Sequence, residues 1–120
     1  MKELSSKIKN ELTDIFGERV NFKKYERMLY STDLGVMPAL IKNRIDNIPQ
    51  AIVLPKNPEE LQKLIEVSKE NFIPIVARGL GTSGYGGSVP AKSGISVVFS
   101  QMNKVIEFDN KNLTVTVEPE

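Results

Sequence analysis

A chain of 120 residues has room for one domain and one buried core. Sixteen Lys and Arg against fifteen Asp and Glu leave a net charge of +1, so no basic excess points to nucleic acid and no acidic tail points to disorder; 40% apolar and 26% charged residues suit an ordinary soluble domain. With no Cys and no His, the chain excludes disulfides, thiolate or imidazole ligation of zinc, haem or an iron–sulfur cluster, and Ser-His-Asp or Cys-His catalysis, leaving carboxylate-only metal sites open.

Leu4, Ile8, Leu12, Ile15 and Phe16 recur at spacings that line one helical face. With Ser5 or Ser6 to cap it and Gly17 to end it, the spacing predicts a helix over about 5–16. The same stretch mixes Lys and Glu among its apolar positions, so it lacks the apolar core of a signal peptide, and no run approaches the ~20 residues that span a bilayer. After Val20 and Phe22, a short helix carries Tyr25, Met28 and Leu29. Gly35 to Pro49, with Pro38 and no sustained period, reads as a long irregular connection that must lie on something else.

Ala51-Ile52-Val53-Leu54 predicts a short buried strand stopped by Pro55. Asn57 is the expected N-cap of the next helix, Pro58 suits its first position, and Glu59 and Glu60 complement the positive end of the dipole. Leu61, Leu64, Ile65 and Ser68 are its expected inward face up to Asn71, and Ile73 to Ala77 a second buried strand. Residues 51–77 then form a strand-helix-strand unit with parallel strands. Ile95 to Phe99 and Val105 to Phe108 are further apolar runs. Leu113, Val115 and Val117 alternate with polar residues after the turn Asp109 to Asn112, as in a strand with one wet face.

Five of the eight glycines (Gly79, Gly81, Gly84, Gly86 and Gly87) fall within nine positions at the end of the second strand of that unit. A loop of Gly, Thr and Ser there can turn several backbone N–H groups toward one point, which suits a phosphate or pyrophosphate. Gly79-Leu80-Gly81-Thr82-Ser83-Gly84 formally satisfies the dinucleotide fingerprint G-x-G-x-x-G. That motif must open a helix, which Tyr85-Gly86-Gly87-Ser88-Val89-Pro90 cannot sustain, and its acidic ribose ligand about 20 residues on would fall near Phe99. A Walker A loop needs Gly-Lys-Ser/Thr where Gly84 is followed by Tyr85. A flexible surface loop is the remaining alternative to a pyrophosphate cradle.

The run Ile73 to Gly87 closely resembles the pyrophosphate loop of FAD-linked oxidases, the glycolate oxidase and D-lactate dehydrogenase relatives of the vanillyl-alcohol oxidase superfamily. The resemblance extends to Tyr30-Ser31-Thr32-Asp33, to Ile52 through Val67, to Ser100 through Ile106 and to Val115 through Pro119. It implies an α+β fold, the first α/β subdomain of a PCMH-type FAD-binding domain, with a βαβ unit, a small mixed sheet and an N-terminal helix. The corresponding division is a single partial domain: 1–49 helical and irregular, 50–99 strand-helix-strand with the pyrophosphate loop at 78–87, and 100–120 terminal strands.

By the same resemblance, Ala77, Arg78, Gly79, Leu80, Gly81, Thr82 and Ser83 bind the FAD pyrophosphate through backbone amides and the Thr and Ser hydroxyls. Arg78 either adds charge there or makes a structural contact, while Tyr30 and Asp33 are expected to cap and pack and Met102 to lie in the core. Members that attach FAD covalently through a His in this loop carry it where Thr82 stands, so the cofactor is expected to be held non-covalently. No catalytic residue is assigned, because relatives supply the base and carboxylate clamp from regions beyond residue 120.

Ending soon after an alternating strand favours the N-terminal part of a larger oxidoreductase over a natural small protein that kept only the loop. The parent reaction implied is FAD-dependent oxidation of a 2-hydroxy acid such as lactate or glycolate, with a quinone, an electron-transfer flavoprotein or an iron–sulfur protein as acceptor. The expected partner is the remainder of the flavoprotein, or a chain that completes the FAD site, with no nucleic acid and no transmembrane segment. The 120-residue chain alone is expected to be inactive and cytoplasmic, reaching a membrane only through partners. The rival from another class is a non-catalytic protein-interaction module built on the same fold.

Overall fold

The structure, a computed structural model, describes residues 3–120. Helix α1 (Ser6–Phe16) begins where Ser5 Oγ accepts the amide of Ile8 at 3.4 Å and ends at Gly17, whose φ is +58°. Strand β1 (Val20–Asn21) and helix α2 (Lys24–Leu29) follow. The irregular connection contains one helical turn, α3 (Ala39–Lys42), which its lack of period did not announce.

Strand β2 (Ala51–Val53) leads into α4 (Pro58–Asn71), with Asn57 Oδ1 accepting the Glu60 amide at 2.9 Å as the cap and Pro58 at the first turn. Strand β3 (Ile75–Arg78) starts two residues later than the sequence predicts. The reason is local: the amide of Ile73 is drawn to Ser68 O at 3.0 Å and its carbonyl accepts Ser68 Oγ at 2.6 Å, closing the helix rather than opening a strand. Ile65 is exposed, and Val67 packs against the core in its place.

Strand β4 (Ile95–Val98) lies between β2 and β3, parallel to both, and β1 pairs antiparallel with β2, giving the order β1-β2-β4-β3. The two strands of the crossover are thus parallel but not neighbours. Because side chains alternate along a strand, Ala51, Val53, Ile95 and Val97 share one face. There they join Leu4, Leu12 and Phe16 from the N-terminal segment and Leu64 from α4 in one apolar cluster. Ile52, Ser96 and Val98 on the opposite face are buried too, so β2 and β4 are covered on both sides. Strand β3 is only half-buried, contrary to the expectation of a second buried strand, because it occupies the sheet's edge.

The last two strands, β5 (Val105–Asp109) and β6 (Thr114–Val117), form a separate antiparallel hairpin. Here the expectation of one buried face is corrected, since Val105, Ile106, Phe108, Val115 and Val117 are all exposed. Alternation marks a face able to be buried; nothing within the described residues covers this one. Met102, at the hairpin's base, is buried as expected.

Candidate functional site

The glycine loop leaves the carboxyl end of β3, and residues 79–90 contain turns and bends but no helix. This removes the Rossmann alternative, whose fingerprint requires a helix at that point. Gly81 has φ +73° and is buried, and a Cβ placed on it would run into the guanidinium of Arg78. The positive φ favours glycine there, and any side chain would have to push the Arg78 guanidinium aside.

Arg78 extends beneath the loop rather than away from it. Its Nη1 donates to Thr32 O at 2.7 Å and its Cζ lies 5.4 Å from the centre of the Tyr30 ring. Tyr30 thus packs, as the sequence suggested. Among the described residues no carboxylate pairs with Arg78, so its structural contact is not a salt bridge but the bond to Thr32 O, beyond the end of α2, and the Tyr30 ring. The amides of Leu80, Gly81, Thr82, Ser83 and Gly84 donate to no group among the described residues. Ser83 Oγ accepts the Tyr85 amide at 3.3 Å, turning the chain after the loop.

The structure thus brings Arg78 and Gly79 to Ser83 together around one loop, with a fixed positive charge against Gly81. Ala77 sits exposed on β3 just before it. Free N–H groups beside an unneutralised guanidinium form a place where negative charge is favoured. Beside the loop, a cleft of about 350 Å³ is lined by Val36, Met37, Pro38, Ile41, Tyr85 and Val89, among others.

Sequence reading left one residue of this region at the level of a local cap. Asp33 Oδ1 accepts the Gly35 amide at 2.9 Å, and its Oδ2 accepts the Gly86 amide at 2.8 Å across 53 positions. The pattern Asp33-Leu34-Gly35 is an Asx-turn signal and accounts for the first bond. No local signal announces the second.

Residues 49–119 match the family model described as the FAD binding domain. The chain belongs to this family. Over 117 residues it is 31% identical to the glycolate oxidase subunit GlcD of Bacillus subtilis (strain 168), covering 97% of this chain and 23% of that protein. It is 34% identical over 73 residues to the mitochondrial D-lactate dehydrogenase [cytochrome] of Arabidopsis thaliana, covering 61% of this chain and 13% of the relative. Among solved structures, an alkyldihydroxyacetonephosphate synthase superposes with a TM-score of 0.78 at 22% identity, over 96% of this chain and 24% of that one. A p-cresol methylhydroxylase gives a TM-score of 0.73 at 22% identity, over 88% of this chain and 20% of its own. The fold is that of a PCMH-type FAD-binding subdomain, and FAD is the cofactor that the family implies. The chain spans under a quarter of the length of these relatives.

Proposed function

We propose that this chain supplies the pyrophosphate-binding wall of an FAD site, with Ala77 to Ser83 as the contact segment. The observation that carries the reading is the pairing of unbonded loop amides with the uncompensated Arg78 guanidinium at Gly81. A diphosphate carries two negative charges and many acceptor oxygens, which this donor set complements. Thr82, which is exposed, stands where the covalently linked members carry His, so this segment makes no covalent flavin link through His and holds the cofactor non-covalently.

When bound, FAD supplies the capacity to accept a hydride; this chain's own residues bind and orient it. The proposed parent reaction is oxidation of a 2-hydroxy acid, in keeping with the glycolate oxidase and D-lactate dehydrogenase relatives. The remainder of a larger flavoprotein, or a partner chain, completes the site, and a quinone, an electron-transfer flavoprotein or an iron–sulfur protein takes the electrons. The division into segments 1–49, 50–99 and 100–120 and a cytoplasmic location belong to the same proposal. Among the described residues no helix is long and apolar enough to cross a membrane.

One wall of a site gives weak binding. The ligand must offset roughly 4–15 kcal/mol of lost translational and rotational freedom with a few charge-assisted hydrogen bonds of about 1.5–3 kcal/mol each. The expected dissociation constant is nearer millimolar than nanomolar. Calorimetric titration with FAD, paired with a dye-reduction assay on D-lactate and glycolate, tests this. Weak binding without reduction is expected. No heat at any FAD concentration overturns the cofactor reading, and substrate-dependent reduction overturns the reading that this chain is inactive alone.

The exposed apolar face of the β5–β6 hairpin is the observation that favours a second reading, a non-catalytic interaction module. Flavin binding separates the two, because a module that had given up its cofactor would leave the loop amides without a ligand.

A further inference from the structure

The four residues Thr32 to Gly35 run along the glycine loop and touch it at successive points. Thr32 O receives Arg78 Nη1 at 2.7 Å, the Leu34 amide donates to Gly81 O at 3.3 Å, and Asp33 Oδ2 receives the Gly86 amide at 2.8 Å. Gly35 lies against the carbonyl of Gly84 so closely that a Cβ there would collide with it. The other carboxylate oxygen of Asp33 is engaged by the Gly35 amide at 2.9 Å, which fixes the side chain's direction.

We propose that Asp33 is a positioning residue, its carboxylate latching residues 32–35 onto the glycine loop so that the loop is held in its binding geometry before any ligand arrives. The proposal rests on the FAD-binding reading of the loop. The physical need is plain: a segment with five glycines in nine positions has more backbone freedom to lose than any other stretch of this chain. Affinity depends on how much of that freedom is removed in advance. Both Asp33 bonds are charge-assisted N–H to carboxylate bonds, the strong kind. None of the interactions of residues 32–35 uses the amides of Leu80 to Gly84, so the latch orders the loop while leaving those donors free.

The test uses the 120-residue chain, ¹⁵N-labelled, as wild type, Asp33→Ala and Asp33→Asn. Amide hydrogen exchange without ligand reports the latch, and titration with FAD, followed by the shifts of the loop amides, reports its consequence. Asp33→Ala is expected to speed exchange at Gly86 while Val53 and Val97, in the central strands, keep their protection. It should weaken FAD about tenfold. Asp33→Asn keeps one acceptor oxygen and turns an NH₂ toward the other donor, so it should fall between the two. Unchanged exchange at Gly86, or FAD affinity within about twofold of wild type in Asp33→Ala, overturns the proposal. So does loss of protection at Val53 and Val97 in both variants, because Asp33 would then hold up the whole fold. If FAD moves no loop amide of the wild type, the cofactor reading itself fails, and the exchange comparison still decides whether the latch exists.

Discussion

Arg19 and Glu60, 41 positions apart, are joined by paired hydrogen bonds of 2.7 and 2.6 Å that fasten the entry to β1 onto the first turn of α4. Arg19 Nη1 also reaches Leu54 O at 2.7 Å, and Glu60 Oε2 receives the Lys56 amide at 3.0 Å. The Arg19 hydrogen bonds hold the Glu60 carboxyl below the usual carboxylate range, against the opposing effect of its burial. A carboxylate whose folded pKa is depressed contributes stability that is complete above its unfolded value of about 4.3 and is lost as pH falls through the folded one. Glu3, lowered by its hydrogen bonds with Lys9 and Arg27, acts in the same direction. Urea midpoints should therefore fall between about pH 5 and pH 3. Glu60→Gln should cost about 2 kcal/mol at pH 7 and flatten that acid limb.

Gly81→Val should abolish FAD binding. It forces a β-branched residue into φ +73° and drives its side chain into the Arg78 guanidinium, so both the charge and the loop backbone are displaced. Flavin titration checks it; wild-type affinity in the variant would remove the loop from the site.

Leu64 is fully buried at the point where α4 meets α1 and the sheet. Leu64→Ala should destabilise by about 3 kcal/mol, read as a lowered urea midpoint with an unchanged slope.

Phe108, equally large and apolar, is 72% exposed on the hairpin. Phe108→Ala should leave the stability of the 120-residue chain within about 0.5 kcal/mol of wild type. A loss comparable to that of Leu64→Ala would mean that the hairpin folds back onto the body of the domain in solution.

The legible parts of this fold are those written in neighbouring residues. Ser5 and Gly17 bound α1, Asn57 and Pro58 open α4, and the crowding of glycines after Arg78 marks the loop, each by local stereochemistry. What stayed hidden depends on residues distant in the chain. Insertion of Ile95–Val98 between β2 and β3, the two-residue strand at Val20, and the reach of Asp33 to Gly86 leave no periodic trace. The hairpin misled for a different reason: Val115 and Val117 report what a face is capable of burying, while actual burial requires a surface opposite it.

The strand order also governs when the sheet can form. Its centre, β4, is the last of the four strands to be synthesised, and β2 and β3 pair with it and not with each other. A nascent chain that has emerged only as far as the glycine loop holds helices and two parallel strands without their common neighbour. The pairing of β2 and β3 with their common neighbour must wait until residue 98 has left the ribosome. Folding then proceeds through contacts of large sequence separation, whose loop-closure cost makes the step slow for a chain of this size.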